Sequence, residues 1–272
     1  MRIRPFNSIL LLAVIAIINL AIAPLSQAIT FGEPDEYESY PNVGAMILQF
    51  NGELHVFCSG TLIAPDVFLT AAHCTETAQS LGIPQGEAWV TFDAVFDEDS
   101  SLNRGTYHLN PNYGHDMHDR QDVAVVILDE PIYYIIPANL PPLGYLSELQ
   151  KDKVLMDQQF VTVGYGLLRD DKTKNSKSII GSWPIADYSE RLYVEQTFLA
   201  LKPYWLQLSK NPATGSGGGC YGDSGGPHFQ SSTNMVVSLT VTGDPWCRAT
   251  DVTYRLDTDS ARSYLSEFVD LP

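Results

Sequence analysis

A serine hydroxyl is a poor nucleophile at its ordinary pKa. To attack a carbonyl it needs a base to take its proton, a group to orient that base, and donors for the charge developing on oxygen. Residues able to fill each role stand far apart in this sequence. Cys220-Tyr221-Gly222-Asp223-Ser224-Gly225-Gly226-Pro227 surrounds Ser224 with glycines, which let the backbone aim its N–H groups at one point with no Cβ in the way. Far upstream, Cys58-Ser59-Gly60 leads through Leu69-Thr70-Ala71-Ala72-His73-Cys74 and supplies a histidine. Between them Gln121-Asp122 opens the apolar run Val123 to Leu128. Taken singly, each has a bland reading: a buried imidazole bonded to a carbonyl, an acid capping a strand, a serine in a turn. Taken together, they have the parts for acyl transfer. His115-Asp116-Met117-His118-Asp119 has the residue types of a metal cluster, but nothing fixes these side chains on one face. It reads as an exposed connection, and the sequence calls for no metal and no organic cofactor.

The elements that must position these groups read as short strands. Ala88, Val90, Phe92 and Ala94 alternate with Trp89, Thr91 and Asp93, and Val237, Leu239 and Val241 alternate with Ser238, Thr240 and Thr242. Period two is the mark of half-buried strands, and Val123 to Leu128, closed by Asp129-Glu130-Pro131, fits a deeper one. One helix is expected, near the end: Asp259 or Ser260 caps it, with Leu265, Phe268 and Val269 on one face. Arg169 to Ser182, with Lys172, Lys174 and Lys177, reads as a solvated loop. Asn211 to Gly219 is too rich in glycine for a strand. The periodicity implies an all-β chain and no more.

Composition narrows the partners. The 272 residues are 44% apolar in type, ample for a core, and 16 Lys+Arg against 32 Asp+Glu leave a formal charge of −16. That field repels a phosphate backbone and anionic lipid, so nucleic acid is excluded as a general partner. Arg2 and Arg4 precede an apolar run from Ile9 to Ala23, and Ser26 and Ala28 are small; this is a secretory signal peptide over residues 1–28, cut after Ala28. The alternative, an uncleaved anchor, has a short run for a bilayer core that needs roughly 20 residues. Export into an oxidising compartment makes two disulfides the default for Cys58, Cys74, Cys220 and Cys247, with three connectivities open.

With Thr70-Ala71-Ala72-His73-Cys74, Asp122 opening its strand, and Gly222-Asp223-Ser224-Gly225-Gly226-Pro227 in that order, the chain resembles the trypsin/chymotrypsin family of serine endopeptidases. The resemblance spans essentially the whole chain after the signal. It implies two six-stranded antiparallel β-barrels with a C-terminal helix and an active site between them: residues 29–150 carrying His73 and Asp122, residues 151–272 carrying Ser224 and the specificity pocket. It makes Ser224 the nucleophile, His73 the base, Asp122 its orienting acid, and the N–H groups of Gly222 and Ser224 the oxyanion hole. It also implies the pairings Cys58–Cys74 and Cys220–Cys247.

Ile29-Thr30-Phe31-Gly32 resembles the family's Ile-Val-Gly-Gly start, departing at Thr30 and Phe31. The implied switch is a freed Ile29 amine paired with Asp223, here released by signal cleavage itself. In the pocket, Gly218 stands where trypsin has its aspartate, and Asp251 is the acid that aligns with the far wall as a substitute counterion. The expected protein is a secreted, monomeric endopeptidase acting on polypeptides, open to a protein inhibitor, with no stable membrane insertion after cleavage. Its rival from another class is a catalytically silent binding protein on the same fold. An esterase of the Gly-x-Ser-x-Gly kind would place its histidine last, whereas His73 comes first.

Overall fold

Runs of Val, Ile, Leu and Phe punctuated by turns produce two sheets that each close on themselves. The structure, a computed structural model, describes residues 29–167 and 190–272. The leader expected over residues 1–28 and the lysine-bearing stretch 169–182 lie outside the described residues. The chain opens with β1 (Glu33–Pro34), and then builds the first barrel from β2 (Val43–Phe50), β3 (Glu53–Ala64), β4 (Val67–Thr70), β5 (Ala88–Thr91), β6 (Asn103–His108) and β7 (Ala124–Leu128), closed in the order β2-β3-β4-β7-β6-β5. The β2–β3 hairpin turns on Asn51-Gly52, both at positive φ (53° and 88°), the residue pair a two-residue hairpin favours. Met46, Leu48, Leu62, Phe68 and Val126 fill this barrel.

The second barrel comprises β8 (Gln159–Gly164), β9 (Leu192–Leu201), β10 (Trp205–Ser209), β11 (Pro227–Gln230), β12 (Val236–Gly243) and β13 (Thr250–Arg255); β9 pairs with both β10 and β8 and so closes it. A further cluster, with Val43, Leu69, Val163, Phe229 and Leu239, joins the two barrels. Each fully buried aliphatic side chain there contributes about 1.5–3 kcal/mol.

Three further ties cross between the halves. β1 leaves the first half of the chain to pair with β9 (Glu33 opposite Tyr193). Arg191, just ahead of β9, is 1% exposed; its Nε donates to Asp35 at 2.8 Å, and Nη1 reaches the carbonyls of Val43 (3.1 Å) and Phe92 (2.8 Å). The C-terminal helix, Asp259–Leu265, lies on the first barrel: Tyr264 Oη donates to the His108 carbonyl at 2.7 Å, and the His108 and Phe268 rings lie 5.4 Å apart.

Several details differ from the sequence expectations. The alternation at Ala88 ends as a strand at Thr91, where the Asp93 N–H turns back to Thr91 Oγ1. β12 is buried on both faces from Val236 to Thr240, where Ser238 accepts a hydrogen bond from Thr253 inside the fold at 2.8 Å, while Thr242 is exposed as the alternation expects. The final helix is capped by Thr258, whose Oγ1 accepts from the Ala261 N–H, instead of by Asp259 or Ser260; Phe268 and Val269 pack just past its end. That helix is α3. Among the described residues two others precede it: α1 (Ala72–Ser80) and α2 (Tyr145–Lys151).

Candidate active site

His73 is the second residue of α1, held where β4 ends and the helix begins. Its backbone N–H donates to Asp122 Oδ1 at 2.9 Å, and its ring Nδ1 lies 2.9 Å from Oδ2 of the same carboxylate. Asp122 is 1% exposed. Against an ionised carboxylate Nδ1 carries the hydrogen, which leaves Nε2 as the basic atom. Asp122 is turned off its strand by Gln121, which sits at φ 51° while the Val123 N–H bonds back to the Gln121 carbonyl at 2.9 Å. A non-glycine residue in that region costs on the order of 1 kcal/mol, strain that accumulates at functional sites.

Ser224 faces the same cleft, a cavity of about 560 Å³ lined also by His73, Cys58 and Cys220. Among the described residues no hydrogen bond joins the Ser224 hydroxyl to the His73 ring, a contact that in a substrate-free site often tightens only on binding. Nor does any hydrogen bond among them use the N–H of Gly222 or Ser224, so both donors are unspent. Gly222 reaches this arrangement at φ 96°, which a side chain would strain. Ser59 locks the loop to the first barrel: its N–H donates to the Ser224 carbonyl (2.9 Å), and its hydroxyl donates to the Gly222 carbonyl (3.0 Å) while accepting from the Tyr165 N–H (2.9 Å).

Both disulfides brace this region. Cys58–Cys74 joins β3 to α1 across a separation of 16 residues, and Cys220–Cys247 spans 27 between the nucleophile loop and the segment after β12. Closing loops of that length contributes about 3 kcal/mol each. Cys58, His73 and Cys74 lie close enough together for a metal, but both sulfurs are spent on the disulfide. His115, Asp116, Met117 and His118 are exposed, and Asp119 is buried, where it accepts from Tyr254 Oη at 2.8 Å.

Asp223 lies fully buried behind Ser224. It accepts from the N–H groups of Gly166 (2.8 Å) and Cys220 (2.7 Å). Burial pushes its carboxyl up to about 7, against the pull of those two N–H groups. Ile29 is also buried, and Thr30 exchanges two backbone hydrogen bonds with Gly218, each 3.2 Å. The start of the described chain is thereby seated beside the loop that leads to the nucleophile.

Asp251 lines the cleft, fully buried, while Gly218 stands behind it under the side chain of Lys210. Lys210 Nζ lies 3.2 Å from Asp251 Oδ1, and Oδ2 accepts from Gln196 Nε2 (2.9 Å) and the Gly219 N–H (2.8 Å), with His228 Nε2 at 3.7 Å. Burial alone would raise the Asp251 carboxyl, but Lys210, with His228 and Gln196, outweighs it and holds the group well below the usual carboxylate range. Sequence reasoning missed Lys210, Gln196, His228 and Ser59. A signal for Lys210 existed: it continues the inward period-two face of Leu206 and Leu208, both wholly buried.

Comparison with known proteins agrees with this architecture. The solved structure of an HL collagenase superposes with a TM-score of 0.64 at 17% identity, over 88% of this chain and 97% of that one. A scabies mite inactivated protease paralogue gives 0.59 at 18% identity, over 87% and 97%. At such identities the likeness speaks for the fold. The family profile described as trypsin matches residues 29–258, a stretch that takes in both barrels and His73, Asp122 and Ser224 alike. No helix among the described residues is long and apolar enough to cross a membrane. On that match, and on two closed barrels with the cleft between them, the chain belongs to the trypsin family.

Proposed function

We propose that this protein is an active extracellular serine endopeptidase, exported by the segment before Ile29 and acting on polypeptides. The observation that carries the reading is the His73–Asp122 contact at 2.9 Å, opening onto a cleft shared with Ser224 and with two unspent N–H donors. Ser224 Oγ attacks the scissile carbonyl carbon as His73 Nε2 takes its proton. The carbonyl oxygen, now negative, is held by the N–H groups of Gly222 and Ser224, each such donor being worth about 10²–10³ in rate. His73 then gives the proton to the departing amine, leaving an acyl group on Ser224. Water, deprotonated by His73, attacks that ester and restores the hydroxyl. Throughout, Asp122 keeps the imidazole in one tautomer and stabilises the imidazolium.

Maturation fits the same scheme: an ammonium freed at Ile29 and paired with Asp223 would compensate a buried carboxylate that otherwise has only backbone donors. The competing reading, a silent binding protein on this fold, draws on the absent Ser224–His73 hydrogen bond. A fluorophosphonate probe applied to the purified protein decides between them. Covalent labelling that disappears in Ser224→Ala supports the enzyme; an unlabelled, folded protein with Ile29 at its N-terminus refutes it. Mass spectrometry of the secreted protein locates that N-terminus.

A further inference from the structure

The floor of the cleft holds a side chain that belongs to the protein and has the chemistry of a substrate. Lys210 leaves the end of β10 on the face of Leu206 and Leu208. Its stem crosses over Gly218, where a Cβ would overlap Lys210 Cγ, and its ammonium comes against Gly243, where a Cβ would stand 2.5 Å from Nζ. There Nζ donates to the Gly219 carbonyl at 2.7 Å and lies 3.2 Å from Asp251. The lysine therefore spans the gap between the wall of Gly218-Gly219 and the wall of Gly243, at the base of the cavity that Ser224 faces. It is 2% exposed.

Among the described residues this arrangement leaves an incoming cation only Asp251 Oδ1, which accepts no hydrogen bond, and the Lys210 ammonium already stands against it. One Asp251 oxygen faces Lys210, and the other already accepts from Gln196 and Gly219. Asp244, the other acid lining the cavity, is committed to the backbone N–H groups of Trp246, Arg248, Ala249 and Thr250. An ammonium or guanidinium reaching the floor would meet the Lys210 ammonium first. A carboxylate would find that ammonium already shared with Asp251.

We propose that Lys210 is a built-in occupant of the counterion site, placed against Asp251 where a basic substrate side chain would otherwise sit, so that the pocket selects uncharged side chains of moderate size and rejects Lys and Arg. The inference rests on the endopeptidase reading for its substrate language, though the cation exclusion itself is a property of the pocket.

The test uses the protein beginning at Ile29 and peptides differing only in the residue on the acyl side of the scissile bond. The wild type is expected to cleave after Ala, Leu or Gln with kcat/KM at least about 100-fold above that after Lys, Arg or Glu. Lys210→Ala opens the floor and bares Asp251, and cleavage after Lys and Arg rises about 100-fold relative to Leu; adding Asp251→Asn abolishes that gain. A wild type that works best after Lys, Arg or Glu overturns the proposal, whether or not any variant folds. Benzamidine, a cation that needs no catalysis to bind, supplies the independent arm. It should raise the Tm of Lys210→Ala while leaving the wild type and the double variant unmoved, and equal stabilisation of wild type and Lys210→Ala overturns the proposal. If fluorophosphonate labelling fails while benzamidine discriminates as expected, the endopeptidase reading has failed and the account of the pocket has not.

Discussion

Removing Asp35 should destabilise the whole molecule far more than its place near the start of the chain suggests. Its carboxylate is the sole anionic partner of Arg191 among the described residues, with both side chains essentially inaccessible to water (1% and 0% exposed). It also accepts from the N–H groups of Ser39 at 2.6 Å and Tyr40 at 3.1 Å. In Asp35→Ala the guanidinium keeps the Val43 and Phe92 carbonyls and the Tyr165 hydroxyl, but its charge is left uncompensated. Breaking a buried pair from one side costs about 3–5 kcal/mol. For a chain of this size each kcal/mol moves the midpoint by about 2–4 °C, so Tm should fall by about 10 °C. Thermal unfolding gives the midpoint and urea denaturation at neutral pH the free energy, each followed by tryptophan fluorescence. Glu33→Ala is the control: among the described residues this exposed neighbour accepts only from Tyr193 Oη at 3.3 Å, and its removal should cost less than about 1 kcal/mol. If Asp35→Ala costs no more than Glu33→Ala, the pair is not holding the N-terminal segment between the barrels.

Asp122→Asn should lower kcat by about 10⁴ with the Tm nearly unchanged, because the amide N–H can donate to Nδ1 and so drives the imidazole hydrogen to Nε2; a loss under tenfold would show that Asp122 does not set the His73 tautomer. Ser59→Ala removes a hydroxyl that donates to Gly222 and accepts from Tyr165, which should cost about 1–3 kcal/mol and depress labelling of Ser224; unchanged stability in urea would refute the bridging role. For Asp223 the sign follows from a folded pKa raised to about 7 over the ordinary 3.8. A chain still extended before Ile29 binds the extra proton when folded, so this stabilisation is present below about pH 4 and lost as pH rises through about 7, a swing of roughly 4 kcal/mol at most. The form starting at Ile29, with an ammonium beside the carboxylate, should lack that decline, and identical pH slopes for the two forms would refute the pairing.

What could be read from the sequence was whatever a short stretch of chain encodes by itself. The strands at Ala88 and Val237 announced themselves because period two is local, the one at Val123 because an unbroken apolar run is too, and His73, Asp122 and Ser224 because three short motifs in order resemble one family. α1 was hidden because its buried positions are Ala72, Cys74, Thr75 and Ala78, too small to write an apolar stripe. α2 starts after Gly144 in the left-handed region with no side-chain cap, so its beginning carries no Ser, Thr, Asp or Asn signal. The pairings were least legible. Lys210 meets Asp251 because Ser209 stands opposite Thr250 in the β10–β13 ladder, and Arg191 finds Asp35 only after β1 has crossed to β9. Such encounters depend on register between distant strands, which no window of neighbouring residues contains.

The helix that ends the chain has a mechanical consequence. By resting Tyr264 and Phe268 on His108, it straps the back half of the polypeptide across the front half, on top of the stitches made by Ser59 and Arg191. Pinning at three separate points opposes gaping or clamping of the trough between the barrels. For an extended peptide taken up there, discrimination would then rest on the shape and chemistry of the slot more than on movement of its walls.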